Sequence, residues 1–213
     1  MSKKFVSMCL VMLMAFNLFS SAAAYDIHGI QDNSAVKEIA EIMMDEDAFV
    51  QSLNEVAVSD VCEVSSRTLG DEMQTTEIRR MQLTKDVELV NTRTITRATS
   101  MYTATDKYDL NYAGITGALG TLTAYYKYSY PVIDGPNQMQ TLIHRADGYA
   151  SNLSEKTYKL LNVEPTWDTT AAYNSKASVI FHMESNLYGI WLTSDYVHYC
   201  RFDKYGVPRM SWG

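Results

Sequence analysis

The run Leu119-Gly120-Thr121-Leu122-Thr123-Ala124-Tyr125-Tyr126-Lys127-Tyr128-Ser129-Tyr130 decides how the chain folds. Leu122, Ala124, Tyr126, Tyr128 and Tyr130 fall on one face of an extended chain. Thr121, Thr123, Tyr125, Lys127 and Ser129 fall on the other, because successive side chains of a strand point to opposite sides. Pro131 is expected to close this strand, and Asp134-Gly135-Pro136-Asn137 carries turn chemistry.

Toward the C-terminus the same period recurs. Met139 to Ala146 reads as a strand, with a turn expected at Asp147-Gly148, and Tyr158 to Val163 as another, closed by Pro165. Ala177, Val179, Phe181 and Met183 alternate with Lys176, Ser178, Ile180 and His182. A break is expected at Glu184-Ser185-Asn186, after which Tyr188, Ile190 and Leu192 restart the pattern. Tyr196, His198, Cys200 and Phe202 form a further alternating set, ended by Asp203-Lys204-Tyr205-Gly206. Short strands separated by turn signals predict a mainly β fold, a β-sandwich or small barrel, over residues 101–213. No repeat of solenoid or propeller period is present.

Upstream the composition changes. Fourteen of the fifteen tyrosines, and all three tryptophans, lie from Tyr102 onward. Residues 64–100 are rich in Thr, Arg, Gln and Glu and read as a polar connector or edge, with one strand candidate at Val87 to Ile95. Residues 25–63 read as an acidic helical segment. Val36, Ile39, Ala40, Met43, Val50 and Leu53 recur at helical spacing after a cap at Asn33 or Ser34, and Asp45-Glu46-Asp47 either continues that helix or starts a second. The abrupt aromatic boundary predicts that about 100–213 folds by itself.

Residues 1–24 have the order of a secretory signal peptide: Lys3 and Lys4, an uncharged run from Phe5 to Phe19, then Ser20, Ser21 and Ala22-Ala23-Ala24. The apolar run is shorter than the about 20 residues a spanning helix needs. The expected location is therefore secreted or cell-surface associated, with no membrane span after cleavage. Removing Lys3 and Lys4 takes the formal charge from −7 to −9. Such an acidic chain argues against nucleic acid, whose binders present a basic face. Cys62 and Cys200 then remain. They either pair, closing a loop worth roughly 5 kcal/mol on the chain-entropy model, or stay as separate thiols.

Standard catalytic and nucleotide-binding motifs are absent, so no catalytic residue and no cofactor is assigned. Four histidines occur, at 28, 144, 182 and 198. His182 with Glu184, and His198 with Cys200, are each two apart on a strand and thus share a face about 6.6 Å apart. Were the two strands neighbours, the four could converge on a metal; otherwise they are ordinary strand residues. The tyrosine content points elsewhere. Tyr125, Trp191 and Trp212 are candidates for an exposed aromatic binding face, whereas Tyr126 shares the Leu122 face and belongs to a core.

The closing segment Tyr196 to Gly213 carries an aromatic-His-aromatic pattern, Asp203-Lys204-Tyr205-Gly206 and a terminal Ser211-Trp212-Gly213. With the leader, the polar helical stretch and the Tyr-rich β region, this layout resembles small exported proteins of Gram-positive bacteria whose function is unknown. The resemblance implies no functional residues. The expected function is that of a secreted, non-enzymatic protein whose β domain binds an extracellular protein or glycan. The alternatives are an exported bacteriocin- or toxin-like effector with residues 25–97 as leader or propeptide, and a strand-based metallohydrolase.

Overall fold

The computed structural model describes residues 34–133, 138–153, 157–187 and 189–213; the leader expected at residues 1–24 and His28 lie outside the described residues. Its elements, in chain order, are α1 (Ser34–Met44), α2 (Glu46–Val58), β1 (Glu63–Leu69), β2 (Glu72–Gln82), β3 (Val87–Arg97), β4 (Tyr102–Tyr112), β5 (Ile115–Ile133), β6 (Met139–Ser151), β7 (Tyr158–Trp167), β8 (Lys176–Leu187), β9 (Ile190–Phe202) and β10 (Pro208–Trp212). Strands β1 to β6 form one sheet in chain order, and β7 to β10 form a second. Every pairing between neighbours is antiparallel, as hairpin connections allow. The result is β-sandwich-like, without closure into a barrel.

The alternating pattern of β5 is realised as expected: Leu122, Ala124, Tyr126 and Tyr128 are buried between the sheets. They meet Val179, Phe181 and Met183 of β8, and Tyr196, His198, Cys200 and Phe202 of β9, all buried. Four breaks expected from the sequence are not breaks. Strand β8 runs through Glu184-Ser185-Asn186 to Leu187 in unbroken register with β9. Three other strands pass a proline or a glycine. Strand β5 passes Pro131 to Ile133, with its register against β6 shifting between Ser129 and Val132. Strand β7 passes Pro165, which an edge strand tolerates because no ladder bond is lost on its free side. Strand β6 passes straight through Asp147-Gly148. A Cβ on Gly148 would lie 2.5 Å from Val179 Cγ1 and 2.9 Å from Phe181 Cζ, so this glycine serves the close approach of β6 to β8.

Residues 64–100 are not a connector. They supply β1, β2 and β3, and β3 pairs with β4 along all of its length, from Val87↔Tyr112 to Arg97↔Tyr102. The polar Thr92–Arg97 run is an interior strand because hydrogen bonding to two neighbours, not burial of apolar area, recruits it. Asp45 opens a second helix: its carboxylate accepts the Ala48 N–H at 3.1 Å. Ile39, Ala40 and Met43 of α1 and Phe49, Leu53 and Val56 of α2 are buried. The Tyr196 hydroxyl donates to the Met43 carbonyl at 2.7 Å, satisfying a group left free at a helix end. The Asn54 side chain accepts the Trp212 N–H at 2.8 Å and donates to the Trp212 carbonyl at 2.9 Å, standing in for a strand beside β10.

These contacts tie residues 34–97 into the fold and argue against the expectation that about 100–213 folds by itself. Expressed separately, it should melt non-cooperatively and bind hydrophobic dye at room temperature, whereas 34–213 should give one cooperative transition. A cooperative melt of the shorter fragment by circular dichroism would contradict this.

Candidate functional site

The space between the sheets is stratified along the strands. At one end lie the helices, with Met43, Phe49 and Leu53 against Leu89, Leu110, Leu122 and Met183. A polar layer follows. At the far end the sheets part around a cleft rich in tyrosine.

The polar layer is built on Asp106 of β4, fully buried. Its Oδ1 accepts from Asn91 Nδ2 at 2.7 Å and Arg93 Nε at 3.3 Å. Its Oδ2 accepts from Arg93 Nη2 at 2.9 Å, the Tyr108 hydroxyl at 3.1 Å and His198 Nε2 at 3.1 Å. Burial alone would raise the Asp106 carboxyl, but the His198 hydrogen bond and the Arg93 charge hold it well below the usual carboxylate range. With Nε2 donating to Asp106, His198 Nδ1 accepts the Tyr126 hydroxyl at 2.7 Å. Tyr108 and His198 pack edge-on against the Trp212 indole, at 5.2 and 4.8 Å between centroids. Asp106, His198 and Tyr126 each have no exposed surface, so the centre of this array ties the sheets together away from solvent, which only the Arg93 side chain partly meets.

Beyond it the cleft, about 400 Å³, is lined by Arg97, Tyr102, Tyr128, Tyr130, Ile133, Tyr205 and Val207 among others. Tyr102 stacks on Tyr128 at 5.5 Å and tilts against Tyr130 at 4.7 Å. The Arg97 guanidinium sits 5.4 Å from the Tyr102 ring centroid, a cation–π contact. The Tyr130 hydroxyl donates to the Gly206 carbonyl at 2.6 Å. Gly206 is required there: its φ is +73° and a Cβ would lie 2.6 Å from the Tyr130 ring. Asp203 braces the same turn, accepting the N–H groups of Tyr205 at 3.0 Å and Val207 at 3.1 Å, and Arg209 Nη2 at 3.1 Å. Burial would raise its carboxyl, but those amides and Arg209 lower it. Tyr205, 49% exposed, is thereby held out over the cleft on a preorganised turn.

The residues singled out from sequence fall in different places. Strands β8 and β9 are neighbours, but the register sets His182 opposite Asp195 and His198 opposite Val179. His182 and Glu184 point outward while His198 and Cys200 point inward, so the four do not converge. His182 Nδ1 lies 2.6 Å from Asp195, a hydrogen bond that raises its pKa, and Nε2 lies 3.6 Å from Glu164. Glu184 pairs with Lys159 at 2.9 Å. Among the described residues no group of three or more His, Cys, Asp or Glu is placed to hold a metal ion. Cys62 is exposed, Cys200 is buried and both are free, so the disulfide weighed from the sequence is not formed. Burial also pushes the Cys200 thiol far up, away from nucleophilic use.

Tyr125, Trp191 and Trp212 do not form one face either. Tyr125 lies half-buried on the outer side of β5, opposite Asp147 and Thr105. Trp191 is on the outer side of β9, with Lys159 Nζ 4.6 Å from its ring. Trp212, 5% exposed, is core. The residues that do line the cleft come from β3, β4, β5, the start of β6, the β9–β10 turn and the start of β10. No protein-family model, curated protein or solved structure matches this chain.

Two sequence signals could have exposed the polar layer: Asp106 sits between Ala104 and Tyr108 on one strand face, and Arg93 between Asn91 and Ile95. A charge at an inward position demands a partner. Replacing Asp106 by Asn, or Arg93 by Met, should therefore cost about 3–5 kcal/mol, as removing one member of a buried pair does. The double variant should lose less than the sum. Because the folded-state pKa of Asp106 is depressed, its contribution is present above the usual carboxylate range and disappears as pH falls through and below it. Urea denaturation at pH 7 and in acid measures both effects; additive losses would refute the coupling.

Proposed function

We propose that the protein is an exported binding protein, without catalytic activity of its own, whose tyrosine cleft holds a segment of an extracellular glycan. The observation that carries this reading is the cleft itself. Three tyrosines, Tyr102, Tyr130 and Tyr205, are stacked or braced along its lining, with buried Tyr128 packed behind Tyr102. Tyrosine rings present a flat apolar face to the apolar side of a sugar ring while their hydroxyls stay available for hydrogen bonds. Arg97 at the rim, exposed and stacked on Tyr102, suits an acidic substituent on that glycan.

Secretion rests on the leader-like residues 1–24, and the glycan on the chemistry of the lining. The effector reading, with a cut near Arg97, fits the fold poorly, since that cut would take away both helices, three strands and the Asn91 and Arg93 partners of Asp106. The metallohydrolase reading loses its proposed ligand set to the register of β8 and β9.

Immobilised peptidoglycan and mucin provide the test. Tyr205→Ala and Arg97→Ala should each weaken retention, the tyrosine by about thirtyfold if it behaves as an anchor worth about 2 kcal/mol. Both sites are exposed, so stability should stay within about 0.5 kcal/mol of the parent. Tyr126→Ala should do the reverse and cost about 3–5 kcal/mol of stability. Retention unchanged by both cleft variants would sink the assignment.

A further inference from the structure

Two sheets have four outer edges, and three of them are defended. Strand β10 begins at Pro208 and is met by Asn54 at Trp212. Strand β7 carries Pro165 and a register break between Leu160 and Asn162. Strand β6 is bulged against β5 and bridged through Thr141 to Ala172, with the Thr141 N–H donating at 2.8 Å. Proline, bulges and coverage are the means by which proteins keep an edge from recruiting another strand.

Strand β1 has none of them. All seven of its residues are exposed, and it pairs with β2 in unbroken register from Glu63↔Ile78 to Leu69↔Glu72. Its free side is a flat row of backbone donors and acceptors. Exposed apolar side chains stand along it: Val64 is 66% and Leu69 53% exposed. Its two charges, Glu63 and Arg67, are opposite in sign and four residues apart, an arrangement that matches itself when the strand is reversed.

We infer that β1 pairs antiparallel with β1 of a second copy of this chain, about a two-fold axis at Ser65, joining two six-stranded sheets into one. In this register Glu63 faces Arg67 of the partner subunit, and the reciprocal pair forms on the other side of the axis. Leu69 faces the partner's Val61, which is 38% exposed in the single chain. Shifting the axis to Ser66 would set Glu63 against Leu69 of the partner subunit and lose both ion pairs. Charge thus selects the partner, a second copy, and the register together. The seam is one strand wide, smaller than the interfaces of constitutive dimers, so the association is concentration-dependent.

Sedimentation velocity across a concentration series, with single cysteines in a Cys62→Ser background, tests the inference. Residues directly opposite lie about 4.5–5.5 Å apart between Cα atoms, within disulfide reach. Ser65→Cys should therefore give an oxidised dimer. Val64→Cys and Ser66→Cys should not, because each faces its own symmetry copy only diagonally, roughly 8 Å away, beyond disulfide reach. Glu63→Lys and Arg67→Glu should each raise the dimer dissociation constant about tenfold, since two attractive pairs turn repulsive. The double variant should restore it. A monomer at every concentration overturns the inference, as does a dimer that cross-links equally at 64, 65 and 66 or ignores charge reversal.

Discussion

A carboxylate taken out of water between two sheets needs more donors than its own strand can offer, and Asp106 draws them from three strands. Asn91 and Arg93 reach it from β3, Tyr108 from β4 and His198 from β9. An unpaired buried charge costs several kcal/mol. The two sheets therefore have one relative placement in which Asp106 is satisfied, and β3 must be in register with β4 for Arg93 to arrive. This single demand links the first sheet, the second sheet and the segment upstream of Tyr102.

The polar layer also separates two different environments. On one side the helices complete an apolar core with Phe49, Leu53 and Met183. On the other the sheets diverge, and the tyrosines that would have filled a core line a cleft instead. Tyr128 shows the transition: buried, packed on Phe202 at 4.6 Å, yet stacked on Tyr102 at the cleft wall. Burial drives its hydroxyl, and that of Tyr126, well above the ordinary phenol range, while Tyr130 nearer the opening is raised only to about 12. The shift follows desolvation along the same axis that runs from core to opening.

Alternation was the readable signal. The inward sets Leu122/Ala124/Tyr126/Tyr128, Val179/Phe181/Met183 and Tyr196/His198/Cys200/Phe202 follow from a period of two, because a half-buried strand must send every second residue inward. Proline and glycine misled at Pro131, Gly148 and Pro165, since each has a second use inside a strand: at a bulge, at a close approach between sheets and on an edge. Composition misled at 64–100, where a polar interior strand is held by its ladders rather than by apolar burial.

What the sequence by itself determined was the β character of the last zone, the inward faces of β5, β8 and β9, the helical character of residues 34–58 and the core role of Tyr126. Those properties depend on neighbours within a few residues. Strands β4 and β10 have no sequence assignment, and the sequence leaves the split into two helices open. Which strands pair, and in what register, depends on partners far along the chain. Only the tertiary structure could place Arg93 and His198 on one carboxylate, turn His182 and His198 to opposite sides of one sheet and send Trp212 into the core. It alone gathers Arg97, Tyr102, Tyr130 and Tyr205 around a cleft, because contacts across such separations are set by how two sheets settle against each other.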